Sequence, residues 1–210
     1  MVMIARKRTT RLPEVECAII LSAEVYIVKR LVARLSSLVL FCALGAAAFG
    51  QSLATTTNKT VVDGVVTAAE YSYSKTFQGL TLYANRTADA LYLAVVGETT
   101  GWVAVGLGSM RMDGSTIFMG FVGPGNKVQF KVQAGSGHTH QDAPADVAAS
   151  VVSYALKEAA GKTTLELQLK PAAYFKAGQA SLDTIYAMGT EKSFIPRHFM
   201  RGAISIPLAR

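Results

Sequence analysis

The sequence predicts an all-β fold, a two-sheet antiparallel β-sandwich of about ten strands, and three observations carry that reading. From Val61 onward apolar residues recur at every second position, the period of a half-buried strand. The alternating blocks are short and are separated by Gly, Asn, Asp and Pro, the residues of tight turns. The one helix-compatible stretch, Pro171 to Ala177, has room for no more than a turn.

The chain divides into residues 1–50, a signal-peptide region, and residues 51–210, one domain. Leu38 to Gly50 reads LVLFCALGAAAFG, preceded by Lys29, Arg30 and Arg34. A basic flank, a short apolar run and a small-residue exit make an export signal. The run falls short of the roughly 20 apolar residues that a membrane-spanning helix needs. Cleavage after Gly50 leaves a chain starting at Gln51. The charged residues Arg6 to Glu24 lengthen the leader beyond what export requires, so Val28 is the expected start; a retained membrane anchor is the alternative. The domain is therefore expected to be exported, to the periplasm or the extracellular space.

Within residues 51–210 the expected strands are Leu80 to Tyr83, Leu91 to Val96, Trp102 to Leu107, Ile117 to Val122 and Val128 to Val132. Val151 to Leu156, Leu165 to Leu169, Ile185 to Met188 and Ala203 to Leu208 follow. Breakers separate them, among them Gly123 to Asn126 and the glycine-rich Gly135 to Pro144. Alternation points Leu165, Leu167 and Leu169 inward, with Glu166, Gln168 and Lys170 in water. It likewise opposes Val128, Phe130 and Val132 to Gln129, Lys131 and Gln133. Trp102–Leu107 and Ile117–Val122 are apolar on both faces. Such strands lie centrally, or line something apolar that is not protein.

Composition removes several function classes. The 210 residues are 50% hydrophobic and 17% charged, with a formal net charge of +7. Of 21 Lys and Arg, seven lie in residues 1–50 beside three of the 14 Asp and Glu, so the domain keeps only a small basic excess. A strongly basic nucleic-acid-binding domain is excluded. Both cysteines, Cys17 and Cys42, precede Gln51. Disulfides, zinc-thiolate sites, thiol nucleophiles and Cys-x-x-Cys-His haem attachment are therefore excluded from the domain. With three histidines and scattered carboxylates, the chain has no converging catalytic set, and it is not expected to be an enzyme.

Three constellations can carry chemistry. Ser109-Met-Arg-Met-Asp-Gly-Ser115 puts Met110 and Met112 in a polar connection, where a thioether is unusual. Phe194-Ile-Pro-Arg-His-Phe-Met-Arg-Gly202 carries His198 on a loop before the last strand. Gly137-His-Thr-His-Gln-Asp142 sets His138, His140 and Asp142 on one side of an extended segment, a pattern that suits Cu or Zn. Asn58-Lys-Thr60 and Asn85-Arg-Thr87 match the glycosylation sequon.

In the order Val61-Val-Asp-Gly-Val65, Glu70-Tyr71, Gly101-Trp-Val-Ala-Val-Gly-Leu-Gly108 and Met112-Asp-Gly-Ser115, the sequence resembles a DOMON domain. Pro144 and Asp146, Leu169-Lys-Pro171, Thr184-Ile-Tyr-Ala-Met-Gly189 and His198-x-x-Arg-Gly202 extend the resemblance over nearly all of the domain. DOMON domains are secreted immunoglobulin-like β-sandwiches that bind haem or sugars. The haem-binding members include the cytochrome domain of cellobiose dehydrogenase and hold iron by one Met and one His. The resemblance places these on Met112 and His198, with Met110 and His140 as the open alternatives. It departs at Phe199, where a Gly commonly follows the His, and at Thr116, where an acidic residue often stands.

What the resemblance implies is an electron-transfer domain holding non-covalent haem b, with a redox partner protein or a small-molecule reductant. Trp102, Ile117, Met119, Phe121, Ile185, Phe199 and Met200 would supply apolar walls, and Arg111, Arg197 and Arg201 would face the propionates. The alternative is a carbohydrate-binding module using Tyr71, Tyr73, Tyr83, Tyr92 and Trp102 as stacking faces. Capture of Cu or Zn through the His-x-His loop is a third reading.

Overall fold

The computed structural model describes residues 51–195 and 197–209. The export signal, the start near Val28, Cys17 and Cys42 lie outside the described residues. The described chain is a sandwich of two antiparallel sheets. Its strands are β1 (Tyr73–Phe77), β2 (Leu80–Arg86), β3 (Leu91–Gly97), β4 (Val103–Leu107), β5 (Thr116–Val122) and β6 (Val128–Ser136). They continue with β7 (Thr139–Asp142), β8 (Val151–Ala159), β9 (Lys162–Leu169), β10 (Ser181–Met188) and β11 (Met200–Pro207). One sheet has the order β1-β2-β3-β9-β8, the other β11-β10-β4-β5-β6-β7.

All nine expected strands are present, most extended by a few residues because the backbone ladder continues where apolar alternation stops. Two more were not anticipated. β1 is one, and β7 is the other: it folds the expected Gly135–Pro144 break into a hairpin, pairing Gly135 with His140 and Gln133 with Asp142. Pro171–Ala173 forms a single 3-10 turn, as the short Pro171–Ala177 stretch implies.

The core fills with the inward residues of both sheets. Leu91, Leu93 and Val95 of β3 and Leu165, Leu167 and Leu169 of β9 face Val103, Val105 and Leu107 of β4, Phe118 of β5 and Leu182 of β10. Burying a side chain of this size contributes roughly 1.5–3 kcal/mol, so these residues are the main reason the sheets stay together. Leu53 joins the core from the amino-terminal segment. Its backbone bridges to Leu208, while Thr55 bridges to Arg86, so this segment is tied to both sheets.

The outer faces of the two sheets are treated differently. On the five-stranded sheet, Tyr71, Ala90, Tyr92 and Ala94 are buried under Val62 and Val66 of the chain's own amino-terminal segment. This overturns the expected wet face at Glu166, which is 0% exposed. Its carboxylate accepts from Tyr71 Oη at 2.6 Å and from the backbone N–H groups of Gly64 at 2.7 Å and Asp63 at 3.1 Å. The partition on β6 also shifts: Val128 is exposed and Gln133 buried, although Phe130 and Val132 do pack on the core. Asn85 is buried and donates to Asn58 O and Thr60 Oγ1, so its sequon is closed to a glycan in the folded chain.

On the six-stranded sheet the strands that read as apolar on both faces, β4 and β5, occupy the middle. Their outward residues Ala104, Ile117, Met119 and Phe121, with Trp102 just before β4, form a second apolar layer. Met112 and Phe194, from the connections at its two ends, pack against it, and its residues are each at most 6% exposed.

Candidate functional site

The outward layer of the six-stranded sheet is the floor of a cavity of ≈ 620 Å³, within the roughly 300–1,000 Å³ usual for small-molecule and cofactor sites. Trp102, Ala104 and Gly106 come from β4 and its approach, Ile117 and Met119 from β5, Ile185 and Ala187 from β10, and Ala203 from β11. Small residues keep the floor low. Gly106 is covered by the Ile185 side chain, which fills the space a Cβ would take.

Two walls rise from opposite ends of the strands. At the end where β4 meets β5, the loop Gly108–Ser115 carries Met110, Arg111 and Met112 over the floor. Its turn is closed by Ser115 N–H to Met112 O at 3.0 Å and by the Ser115 hydroxyl donating to Arg111 O. The β6–β7 hairpin stands at the same end, since Thr116 pairs with Ala134. It is fastened to the loop by Gly114 N–H to Gly135 O (3.1 Å), Gly135 N–H to Ser115 O (2.9 Å) and Gly137 N–H to Asp113 Oδ1 (2.8 Å). Gly135 is required here, because a Cβ would collide with the Met112 carbonyl.

The other wall is the connection from β10 to β11, which leaves β10 beside Val103 at the far end of β4. Trp102 and Gly189 exchange close contacts there, with Gly189 N–H donating to Trp102 O at 2.9 Å and Thr99 Oγ1 to Gly189 O at 2.8 Å. Farther along, Lys192 pairs with Glu158 at 2.6 Å and Phe194 packs on Phe121 with ring centroids 4.8 Å apart. Phe199 N–H returns to Met188 O at 3.1 Å and sets the chain into β11. His198 lies between these anchors, with Arg201 Nη1 3.5 Å from its Nε2.

Met112 and His198, about which the sequence reading turned, thus approach from opposite ends of the strands and line the same cavity. Both also line an adjoining space of ≈ 600 Å³. Trp102, Arg201 and His140 border both spaces, Met110 and Arg111 the first, and Arg197 the second. His138 and His140 belong to the same enclosure, so all three histidines of the chain do. Among the described residues, no carboxylate forms an ion pair with Arg111, Arg197 or Arg201.

Other expected wall residues are placed elsewhere. Met200 packs inward against the sandwich core because β11 alternates, and Phe199 is 57% exposed and borders neither space. Phe121 lies beneath Phe194 in the apolar layer rather than on the cavity surface. Tyr71, Tyr73 and Tyr92 are buried and Tyr83 sits 5.4 Å from the Tyr71 ring, so these tyrosines are packing groups, whereas Trp102 lines the cavity. Asp142 is drawn to Lys131 at 3.6 Å and accepts from Gln133 Nε2 at 3.4 Å. Among the described residues no group of three or more His, Cys, Asp and Glu could hold a metal ion. The small floor residues Ala104, Gly106, Ala187 and Ala203 were not singled out from the sequence; the two-faced apolar strand Trp102–Leu107 was the available signal.

No family model matches the chain, and neither does any curated protein. Among solved structures it is similar to the cytochrome b domain of pyranose dehydrogenase from Coprinopsis cinerea, at 12% identity and TM-score 0.46, covering 61% of this chain and 76% of that one. It is similar also to the cytochrome domain of cellobiose dehydrogenase from Myriococcum thermophilum, at 12% identity and TM-score 0.45, covering 65% and 81%. A third, from Bacteroides uniformis and described as "a putative carbohydrate-binding protein", has 12% identity and TM-score 0.39, covering 77% and 91%. Among the described residues no helix is long and apolar enough to cross a membrane.

Proposed function

We propose that the protein is an exported electron-transfer domain that binds haem b without a covalent bond, with Met112 and His198 as the axial ligands. The observation that carries this reading is a cavity floored by the apolar outer layer of the six-stranded sheet and flanked by one thioether and one imidazole from opposite ends of the strands. A sandwich face left to water should alternate to polar residues. This one does not, and it is not left to water: its residues are at most 6% exposed, beneath a cavity that offers the thioether and imidazole donors haem iron takes.

The residues fit the group on three counts. Trp102, Ile117, Met119 and Ile185 offer flat apolar contact to a planar ring and keep water from it. Met112 Sδ and a His198 ring nitrogen are both neutral donors suited to iron. Arg111, Arg197 and Arg201, on the rim, would pair with two carboxylates. When bound with both axial positions filled, haem exchanges single electrons at a potential raised by the Met/His pair. The chain's own part is to hold the sulfur and the nitrogen in place. The Met loop is braced by the hairpin, and His198 is braced by the contacts of Trp102 with Gly189 and of Phe194 with Phe121. The partner is a redox protein or a small-molecule reductant.

The test is spectroscopic. Full-length protein mixed with haem is expected to give a sharp Soret band with low-spin features. Met112→Ala and His198→Ala should each convert it to a high-spin spectrum. Wild-type protein that leaves haem in its free-solution spectrum would overturn the proposal, as would two variants that retain the wild-type spectrum.

A further inference from the structure

We infer that the Met110–Met112 loop and the β6–β7 hairpin together form a binding site for a soft monovalent cation of the Cu(I) type. The site belongs to the haem-free protein, since Met112 is also the proposed haem ligand; it uses Met112 and His140, supported by Met110 and His138, and makes no use of His198.

The first ground is rigidity. Loop and hairpin are a single unit, joined by the three hydrogen bonds of Gly114, Gly135 and Gly137. The Met112 carbonyl lies against Gly135, and Gly135 is the register partner of His140. Met112 and His140 are therefore neighbours through the backbone, whereas His198 reaches the same space from the β10–β11 connection on the other side.

The second ground is the chemistry of the donors. The four side chains offer two thioethers and two imidazoles to one cavity. Of the nearby carboxylates, Asp113 borders the cavity with one oxygen held by Gly137 N–H, and Asp142 is held by Lys131 and Gln133. A donor set dominated by thioether and imidazole selects Cu(I) over the harder divalent ions. Charge opposes every cation here but ranks them: Arg111 and Arg201 line the cavity, and their repulsion of a bound ion scales with its charge, so a monovalent ion suffers about half of what a divalent one would.

The third ground is access. Met110 is 42% exposed, and His138 and His140 are exposed, so an ion reaches the site with no change of fold. Residues 51–210 contain no thiolate to compete for it.

The probe is Ag(I), which has the ligand preference of Cu(I) without its redox chemistry. Full-length protein carrying Cys17→Ser and Cys42→Ser, with no haem added, is titrated with silver nitrate in chloride-free buffer. Calorimetry reads stoichiometry, and methionine-methyl and imidazole NMR signals read position. One ion per chain is expected, shifting the Met112 and His140 signals. Met112→Ala and His140→Ala should each weaken binding about tenfold or more. His198→Ala should leave it unchanged, and unaltered circular dichroism shows that each variant folds. Absence of stoichiometric binding overturns the inference, as does binding that ignores both substitutions or that is lost with His198→Ala. The haem proposal fails separately, because it requires His198 and this site does not.

Discussion

Glu166 occupies a position that strand alternation assigns to water, between Leu165 and Leu167, yet it is fully buried. Alternation reports which sheet face a side chain leaves from, and the amino-terminal segment, remote in sequence, decides whether that face stays wet. The carboxylate is tolerated because it is acceptor-only and meets three donors: Tyr71 Oη and the Asp63 and Gly64 N–H groups. Glu166→Gln keeps the volume but turns an amide N–H₂ toward a group that also donates. The expected cost is about 1–3 kcal/mol, read from the urea midpoint. Backbone amides of Val62 to Val66 should lose hydrogen-exchange protection in the variant, while the haem spectrum stays as in wild type. Met112 and His198 were legible in the sequence for the opposite reason. A Met in a polar turn and a His before the last strand stand out from their surroundings, and the order of motifs singled them out.

At the scale of elements, the Met loop and the β6–β7 hairpin act as one wall, and Gly135 is the hinge point of their contact. Gly135→Ala places a methyl group where the Met112 carbonyl lies, so the loop must move outward from the hairpin. Because this occurs at the sheet edge and not in the core, the expected loss of stability is at most about 1–3 kcal/mol. Haem retention should fall more than stability does, and Ag(I) affinity should fall with it; parallel calorimetry and denaturation check the difference. The hairpin itself was invisible to hydrophobic patterning. All four residues of β7 are exposed, so backbone pairing and the polar contacts of Asp142 hold the strand and no apolar period marks it. The central strands were legible because they bury side chains on alternate or on both faces.

For the whole molecule, the two sheets solve the problem of their outer faces in different ways, and Tyr71 and Tyr92 mark the solution used on the five-stranded side. Burial raises the pKa of Tyr71, Tyr73, Tyr92, Tyr174 and Tyr186 above the ordinary 10.0. Tyr71 is raised strongly, by desolvation first, with the Glu166 hydrogen bond and charge adding to it. The sign follows from linkage: the folded state holds these phenol protons more tightly than the unfolded chain does. Their contribution is fully present below the unfolded-state pKa and is lost as pH rises beyond it. Stability measured by urea denaturation should therefore fall between about pH 9 and 11, where the unfolded phenols ionise. Phenolate absorbance should rise in two steps, the second coinciding with loss of the near-ultraviolet dichroism of the fold. Tyr71→Phe removes the largest of these linkages, and its stability should depend less steeply on pH over that range. If all tyrosines ionised in one step with the fold intact, the amino-terminal segment would not be sealing that face. The contrast between one outer face sealed by the amino-terminal segment and one that floors a cavity would then lose its basis.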